Sequence, residues 1–252
     1  MKRLALALLA LLGGCASQPL PGVGLNDARL AVNIQEAPWR SLAAVATRQG
    51  GRCTGALVAP NVVLTAAHCV VHPRTGTTLA PQDVQVVIGL SPADGGWRVS
   101  VVSLLTGPGF RARPGPSPDP EVAPDSDWAM LLLDSDAAAA VRADVLQVVH
   151  DPVPPGTALA FGGYQADRPN LMVADLDCRV VGYARVPRGG LMMRHSCSAT
   201  SGSSGGPLLL RLPDGRWAVA GVGSMALNTE AGGWAVPAAI IRRVVEGSGT
   251  KS

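Results

Sequence analysis

Short apolar runs separated by turn residues recur along most of the chain. Such runs are typical of β-strands, because a helix needs a longer stretch with a 3.6-residue period. Glycine, proline, asparagine or aspartate breaks each run. Regular short strands of this kind predict an all-β fold, a sandwich or a barrel. The clearest strands cover residues 42–46, 56–58, 62–64, 84–88, 99–105, 130–133, 158–161 and 217–222.

Three other segments depart from the strand pattern. Residues 107–126 are rich in proline, which removes backbone donors and excludes a central strand, so a surface loop is predicted there. The alanine-rich residues 136–145 predict a helix or, as the alternative, a single turn, and a helix is predicted at 238–246, after Pro237.

The N-terminus carries the signature of an exported protein. A basic start is followed by the apolar run 4–12 and by two glycines, which predicts a signal peptide over residues 1–14. Leu12-Gly13-Gly14-Cys15 resembles the bacterial lipobox, in which the cysteine becomes the lipidated first residue. Ordinary signal cleavage near Ala16 or Ser17 is the alternative.

The sequence from Cys15 onward divides into a tether and one globular domain. Residues 15–31 are small, polar and punctuated by glycine and proline, and the domain is predicted over 32–252. The net charge of +3 is spread along the chain, which argues against a nucleic-acid partner. We expect a monomer that contacts a membrane only through a lipid on Cys15. Its expected location is the periplasm or the cell surface, with the lipid in the outer membrane.

Three polar residues in apolar or glycine-rich settings carry the candidate chemistry. His68 lies in Thr65-Ala66-Ala67-His68-Cys69, Asp127 precedes an apolar strand, and Ser204 lies in Gly202-Ser203-Ser204-Gly205-Gly206-Pro207. A serine hydroxyl is a poor nucleophile until an imidazole takes its proton, and the imidazole needs a carboxylate to orient it. The three residues therefore predict a catalytic triad.

The order of these residues excludes two other serine-hydrolase folds. Ser204 also fits the G-x-S-x-G pattern of α/β-hydrolases, but that fold places its histidine after the serine. All four histidines here precede Ser204. Subtilisin-like enzymes run aspartate, histidine, serine, whereas Asp127 lies between His68 and Ser204.

The three segments together resemble the chymotrypsin/trypsin-like serine proteases, with their TAAHC and GDSGGP segments. The resemblance implies a double six-stranded antiparallel β-barrel with a C-terminal helix and a barrel boundary near 135–155. It implies His68 as general base and then acid, Asp127 as its orienting carboxylate, and Ser204 as nucleophile. Asp125 is the competitor of Asp127, but the apolar strand follows Asp127 directly.

The same resemblance assigns the residues around the nucleophile. It implies an oxyanion hole from the backbone N–H groups of Gly202 and Ser204, and it places Ser224 beside the substrate and the catalytic aspartate. The specificity pocket would be formed by Ser198, Ala199, Ala226 and Gly233, which are uncharged. A small or neutral residue is therefore expected before the cleaved bond.

Two departures from the family pattern limit the resemblance. Trypsin-like zymogens carry an aspartate before the catalytic serine, which pairs with a newly cut amino terminus; here that residue is Ser203, and no Ile-Val-Gly-Gly start occurs near residues 31–39. Activity without an internal cut is expected, or an oxyanion hole ordered by another contact. Gly223 stands where glutamyl endopeptidases place a histidine.

The cysteines fit an oxidising compartment. Five cysteines become four when Cys15 is set aside, and four can pair in three ways. The resemblance implies the bond Cys53–Cys69 beside the catalytic histidine, which leaves Cys178 with Cys197. Free thiols and a zinc site near His68, Cys69 and His72 are alternatives, but no second ligand pair accompanies them.

We interpret the chain as an exported serine endopeptidase that acts on polypeptides, without a cofactor or metal. A catalytically weak member that binds a peptide or protein is the alternative, and an esterase on the same fold is a third possibility. An intact triad argues against the binding module, because binding does not need all three groups.

Overall fold

The structure is a computed structural model that describes residues 20–93, 95–115, 119–186 and 190–249. The predicted signal peptide and Cys15 lie outside these ranges. The described strands, in chain order, are β1 (Arg29–Ala31), β2 (Leu42–Thr47), β3 (Arg52–Ala59), β4 (Val62–Thr65), β5 (Val84–Ile88), β6 (Trp97–Thr106), β7 (Arg111–Arg113), β8 (Asp119–Val122), β9 (Ala129–Leu133), β10 (Gln147–Val148), β11 (Ala158–Tyr164), β12 (Met172–Arg185), β13 (Leu191–His195), β14 (Pro207–Arg211), β15 (Trp217–Ala226) and β16 (Gly233–Pro237). Two α-helices, α1 (Ala137–Val141) and α2 (Ala238–Gly249), accompany them.

Six strands of the N-terminal half close into the first barrel. Their order is β2-β3-β4-β9-β6-β5, and every neighbouring pair is antiparallel. Alternate apolar side chains point inward, as the period of a strand requires. The interior is filled by fully buried residues, among them Leu42, Leu57, Leu64, Ile88 and Leu131.

The second barrel is built from the C-terminal half. Its ring runs β12-β11-β14-β15-β16-β13 and closes where β13 pairs with β12. Helix α2 follows β16 directly and packs against β15 and β10, with Ile241 buried and Arg242 Nη1 donating to the Val148 carbonyl at 3.2 Å. The predicted double six-stranded barrel with a C-terminal helix is therefore confirmed. The chain passes between the barrels after Leu133 and before Gln147.

Two predicted segments differ in detail. Residues 107–126 contain the two-stranded ribbon β7–β8 outside both barrels, and an edge ribbon accepts proline where a central strand does not. Helix α1 ends at Val141, short of the predicted 145, because Arg142 takes a left-handed φ of 54° and closes the helix. Asp136 caps its start through a 2.9 Å bond from the Ala139 N–H.

Residues 20–31 fold onto the second barrel, although the sequence predicts a tether there. Val23 is buried and β1 pairs with β12. Gly22 donates to the Leu227 carbonyl at 2.6 Å and accepts from the N–H groups of Ala199 at 3.0 Å and Gly232 at 3.1 Å. Small residues let this backbone lie in the barrel surface, because a side chain at Gly22 would collide with the Ala199 carbonyl.

Two disulfide bonds join the cysteines in the pairs Cys53–Cys69 and Cys178–Cys197. The first links β3 to the turn after β4, and the second links β12 to the segment after β13. Neither described helix has the length and apolar character that a membrane crossing would need.

Candidate active site

His68 and Asp127 come together through the pairing of β4 with β9. His68 lies in a 3-10 turn, Ala67–Val70, soon after β4, and Asp127 lies just before β9. These strands are antiparallel, with Thr65 opposite Ala129. The end of one strand therefore adjoins the start of the other, and the two polar residues meet at one end of the first barrel.

Asp127 binds His68 through both of its oxygens. Oδ2 lies 2.8 Å from His68 Nδ1, and Oδ1 accepts from the His68 backbone N–H at 2.9 Å. These two bonds fix the carboxylate against both the ring and the backbone of His68. The ring nitrogen that faces Asp127 is thereby set as Nδ1, which leaves Nε2 for other partners.

The Asp127 carboxyl is fully buried. Burial raises its pKa, but the charge and hydrogen bonds of His68 and a further bond from Ser224 outweigh this, so the pKa lies below its ordinary value of 3.8. The residue is therefore a carboxylate at neutral pH. Asp125, its sequence competitor, lies against Gly190 instead of His68.

Ser224 in β15 completes the surroundings of the carboxylate. Its hydroxyl donates to Asp127 Oδ2 at 2.5 Å, and the side chain is mostly buried. A charge-assisted bond to a buried carboxylate is among the stronger hydrogen bonds in proteins. Ser224 belongs to the second barrel and Asp127 to the first, so this bond also joins the two barrels.

Ser204 lies in the loop between β13 and β14, where it is held against the first barrel. Its carbonyl accepts from the Thr54 N–H in β3 at 2.8 Å. The Thr54 hydroxyl donates to the Gly202 carbonyl at 2.9 Å and accepts from the Tyr164 N–H at 2.9 Å. One residue of the first barrel therefore contacts the serine loop at two points.

Gly205 allows this close approach. Its φ is +79°, and a Cβ there would lie 2.5 Å from the Thr54 carbonyl oxygen, 2.6 Å from the Ala66 nitrogen and still nearer the Thr65 hydroxyl. Only glycine combines a left-handed φ with such short distances. The glycine brings the serine loop against the turn that carries His68.

The backbone N–H groups of Gly202 and Ser204 are the predicted oxyanion donors, and protein contacts hold the peptide plane of each. In a planar trans peptide the N–H points away from the preceding carbonyl. The Ser201 carbonyl accepts from the Ala166 N–H at 2.8 Å, and the Ser203 carbonyl accepts from the Gly206 N–H at 2.8 Å. Both carbonyls are therefore held by other protein groups. The N–H groups of the same two peptides, on Gly202 and Ser204, find no acceptor among the described residues.

One cleft of about 1120 Å³ contains these groups. His68, Gly202 and Ser204 line it, together with the predicted pocket residues Ala199, Ser224 and Ala226. Ser198 does not reach the cleft; it is buried, and its N–H donates to Asp175 Oδ2 at 2.8 Å. The predicted place of Ser198 on the pocket surface is therefore not found.

His195 lines the same cleft at the end of β13. It lies edge-on to Phe161, with ring centroids 5.5 Å apart, and its Nδ1 accepts from the Cys197 N–H at 3.2 Å. Burial and the neighbouring Arg194 charge lower its pKa to about 3, so the imidazole is neutral near pH 7. The cleft therefore gains a polar ring without a charge.

The zinc alternative named His68, Cys69 and His72, whereas the structure brings together Cys53, His68 and Cys69. These are the one set of candidate ligands that lie close together in the described part of the chain. Their two sulfurs are bonded to each other, and a metal needs thiolates. The Nδ1 atom of His68 is engaged by Asp127.

Several residues around the site carry no signal in the sequence. Arg29 and Gln165 are single polar residues in ordinary surroundings, and Asp175 lies within a strand. Leu20 and Pro21 line the cleft but belong to the predicted tether. His195, beside the cysteine Cys197, is the one member of this group with a distinctive side chain, yet its neighbours in sequence form no motif.

Comparison with known proteins agrees with the fold. The family model described as Trypsin matches residues 31–244. A solved structure titled "Structure of Glu endopeptidase in complex with MPD" superposes with a TM-score of 0.65 at 20% sequence identity, over 90% of this chain and 99% of that one. A comparison with curated proteins gave no match. The match to the family model covers most of the chain, which therefore belongs to the trypsin family of serine proteases.

Proposed function

We propose that the protein is an exported serine endopeptidase that cleaves peptide bonds through His68, Asp127 and Ser204. The observation that carries this proposal is the meeting, in one cleft, of a buried Asp127–His68 pair with Ser204 and two N–H groups that find no acceptor in the described part of the protein. A base, a nucleophile and an oxyanion site are the parts that acyl transfer requires.

The reaction follows from these groups. The Ser204 hydroxyl oxygen attacks the peptide carbonyl carbon, and His68 Nε2 accepts the hydroxyl proton. The N–H groups of Gly202 and Ser204 stabilise the oxyanion, while the Asp127 carboxylate stabilises the imidazolium. The imidazolium then protonates the leaving amine, and an acyl-enzyme forms on Ser204. Water, deprotonated by His68, attacks this ester, and the imidazolium so formed returns the proton to the Ser204 oxygen as the acid leaves.

Fluorophosphonate labelling of the purified protein tests the proposal. Wild type should be labelled on Ser204, Ser204→Ala should not react, and Ser100→Ala on the exposed face of β6 should react like wild type. Peptide cleavage should follow the same pattern. An unreactive wild type would point to the peptide-binding alternative, and hydrolysis of small esters but not of peptide amides would point to the esterase.

The cleft supports a preference for a small, uncharged residue before the cleaved bond. Ala199 and Ala226 line it, and Gly22 is packed against both, so the N-terminal segment fills space behind these walls. The neutral His195 adds no charge. A peptide-library profile should show small neutral residues at this position, and preferential cleavage after lysine, arginine or glutamate would contradict the proposal.

Activity should not depend on an internal cut. Ser203 offers no carboxylate for a new amino terminus; its hydroxyl donates to the Thr200 carbonyl at 2.6 Å instead. Residues 20–31 run unbroken into the first barrel and already pack on the second. The intact chain should therefore cleave peptides, and activity that appears only after cleavage near residues 32–39 would refute this.

Export and lipid anchoring at Cys15 complete the proposal. The two disulfides support export, since such bonds persist in oxidising compartments. Incorporation of labelled palmitate should occur in wild type and be lost in Cys15→Ala. If the wild-type protein takes up no palmitate and is released as soluble protein, ordinary signal cleavage is favoured. Sedimentation of the purified domain tests the expected monomer.

A further inference from the structure

Arg29 is a fully buried cation that the proposed mechanism does not use. Its side chain is 0% exposed and bonds Asp27 Oδ1 at 2.8 Å, Asp167 Oδ2 at 2.8 Å and Gln165 Oε1 at 2.6 Å. Burial disfavours the charged form, but Asp27 and Asp167 outweigh it and raise the pKa of the guanidinium. Burying a charge is expensive, so its retention calls for a role.

Gln165 connects Arg29 to the serine loop. Its Oε1 atom accepts from Arg29 Nη1 and, on the other side, from the Thr200 N–H at 2.8 Å. The Nε2 atom is buried and has no acceptor in the described residues. The position is therefore used for its oxygen, and a carboxylate could replace the amide without losing either bond.

Hydrogen bonds from residues 165–166 hold the first part of the serine loop, residues 200–202. Gln165 holds the Thr200 N–H, and the next residue, Ala166, holds the Ser201 carbonyl at 2.8 Å. The Thr200 carbonyl in turn accepts from the Ser203 N–H at 3.0 Å and from the Ser203 hydroxyl. Because the Ser201 carbonyl fixes its own peptide plane, these contacts determine where the Gly202 N–H points.

We infer that Arg29, acting through Gln165, is a positioning residue for the oxyanion hole. It lies in β1 of the N-terminal segment, and it orders residues 200–202 from within the uncut chain. This inference rests on the proposed function. Gln165 is the relay: it presents one oxygen to the guanidinium and to the loop, and the buried ion pairs with Asp27 and Asp167 keep the guanidinium in place.

The test measures acylation by p-nitrophenyl acetate, a probe that needs no specificity pocket, in the full mature chain. Gln165→Met keeps the side-chain volume but removes the acceptor oxygen, whereas Gln165→Glu keeps an acceptor oxygen at this position. We expect acylation per active site to slow by about 10- to 100-fold in Gln165→Met, with the half-saturating probe concentration unchanged, since removing an oxyanion donor costs about 100-fold or more. Gln165→Glu should stay within about threefold of wild type.

Active-site titration with a fluorophosphonate separates positioning from folding. A structural role alone would lower the fraction of active sites and leave the rate per site unchanged. Gln85→Met, at an exposed position of β5, is the matched control for the substitution. Should Gln165→Met fail to fold, Arg29→Lys takes its place, because lysine keeps the charge but lacks the fork that joins two carboxylates to Gln165; about tenfold slower acylation is expected.

Two results would overturn the inference alone, given a reactive wild type. One is a wild-type acylation rate per site in the variant that removes the acceptor. The other is an equal loss in Gln165→Met and Gln165→Glu. An unreactive Ser204 in wild type would overturn the proposed function and this inference with it.

Discussion

Gly205→Ala should separate the serine loop from the turn that carries His68. The new Cβ would lie 2.5 Å from the Thr54 carbonyl oxygen and 2.6 Å from the Ala66 nitrogen, where ordinary contact begins at 3.4 Å. Neither of these two neighbours is a flexible side chain, and the Thr54 contact is 0.9 Å short of ordinary contact, so the loop must move by about 0.9 Å. A misplacement of about 1 Å in a catalytic group costs on the order of 100-fold in rate.

The substitution also carries a conformational cost that a control can isolate. Alanine at φ +79° is strained by about 1 kcal/mol. Gly215 has φ +85°, and a Cβ at this position would have no atom within 4 Å, so Gly215→Ala carries the same strain without the collision. We expect Gly215→Ala to unfold at slightly lower urea and to keep full activity.

Steady-state peptide hydrolysis and urea unfolding should be measured on both variants. Gly205→Ala should lose about 100-fold in kcat/KM, which corresponds to about 2.7 kcal/mol of transition-state stabilisation. The loss should exceed any change explained by the unfolded fraction. Activity of Gly205→Ala within about threefold of wild type would refute the reasoning, and so would an equal loss in Gly215→Ala.

Three further predictions concern the surroundings of the site. Ser224→Ala removes the donor to Asp127 and should destabilise the protein by about 1–3 kcal/mol at pH 7; the depressed aspartate pKa means that urea unfolding should show this difference shrinking below pH 3.8. The pKa of His195 is about 3 in the folded protein and 6.5 in an ordinary setting, so the unfolded chain binds the proton first as pH falls. The free energy of unfolding should therefore fall as pH drops through this window, by up to about 1.4 kcal/mol per pH unit. His195→Gln should flatten this pH dependence of stability between pH 7 and 5. Replacing Cys178 and Cys197 by alanine opens a 19-residue separation and should lower the free energy of unfolding by about 3 kcal/mol, whereas equal denaturant midpoints would contradict this estimate.

The strands of the first barrel were predictable because their signals are local, whereas β12, β13, β14 and β16 of the second barrel were not marked by the pattern, and the double barrel followed from the family resemblance. Each apolar run that the pattern marks as a strand, such as 84–88 or 130–133, is a strand in the structure. The helix at α2 follows from Pro237 and the apolar run behind it. His68, Asp127 and Ser204 were recognisable because their neighbours form short motifs, and the order of the motifs selected one architecture.

The remaining features depend on contacts between distant segments. Residues 20–31 combine glycine and proline with scattered leucine and valine, so nothing in their composition shows that Gly22 packs on Ala199 or that β1 adds to β12. Arg29 and Gln165 lie 136 positions apart and meet only in the folded chain. Ser198 was assigned by position, but the residue is buried outside the lining of the cleft, with its backbone N–H bound to Asp175.

Thr54 couples the position of the serine loop in the second barrel to the position of the first barrel. Its N–H and hydroxyl belong to β3, yet they hold the Ser204 and Gly202 carbonyls of the other barrel. A small sliding motion of one barrel against the other would stretch both bonds before it disturbed any strand. Catalytic rate should therefore report docking of the barrels, and under mild denaturant it should decline while the circular dichroism of the strands is still that of the native protein.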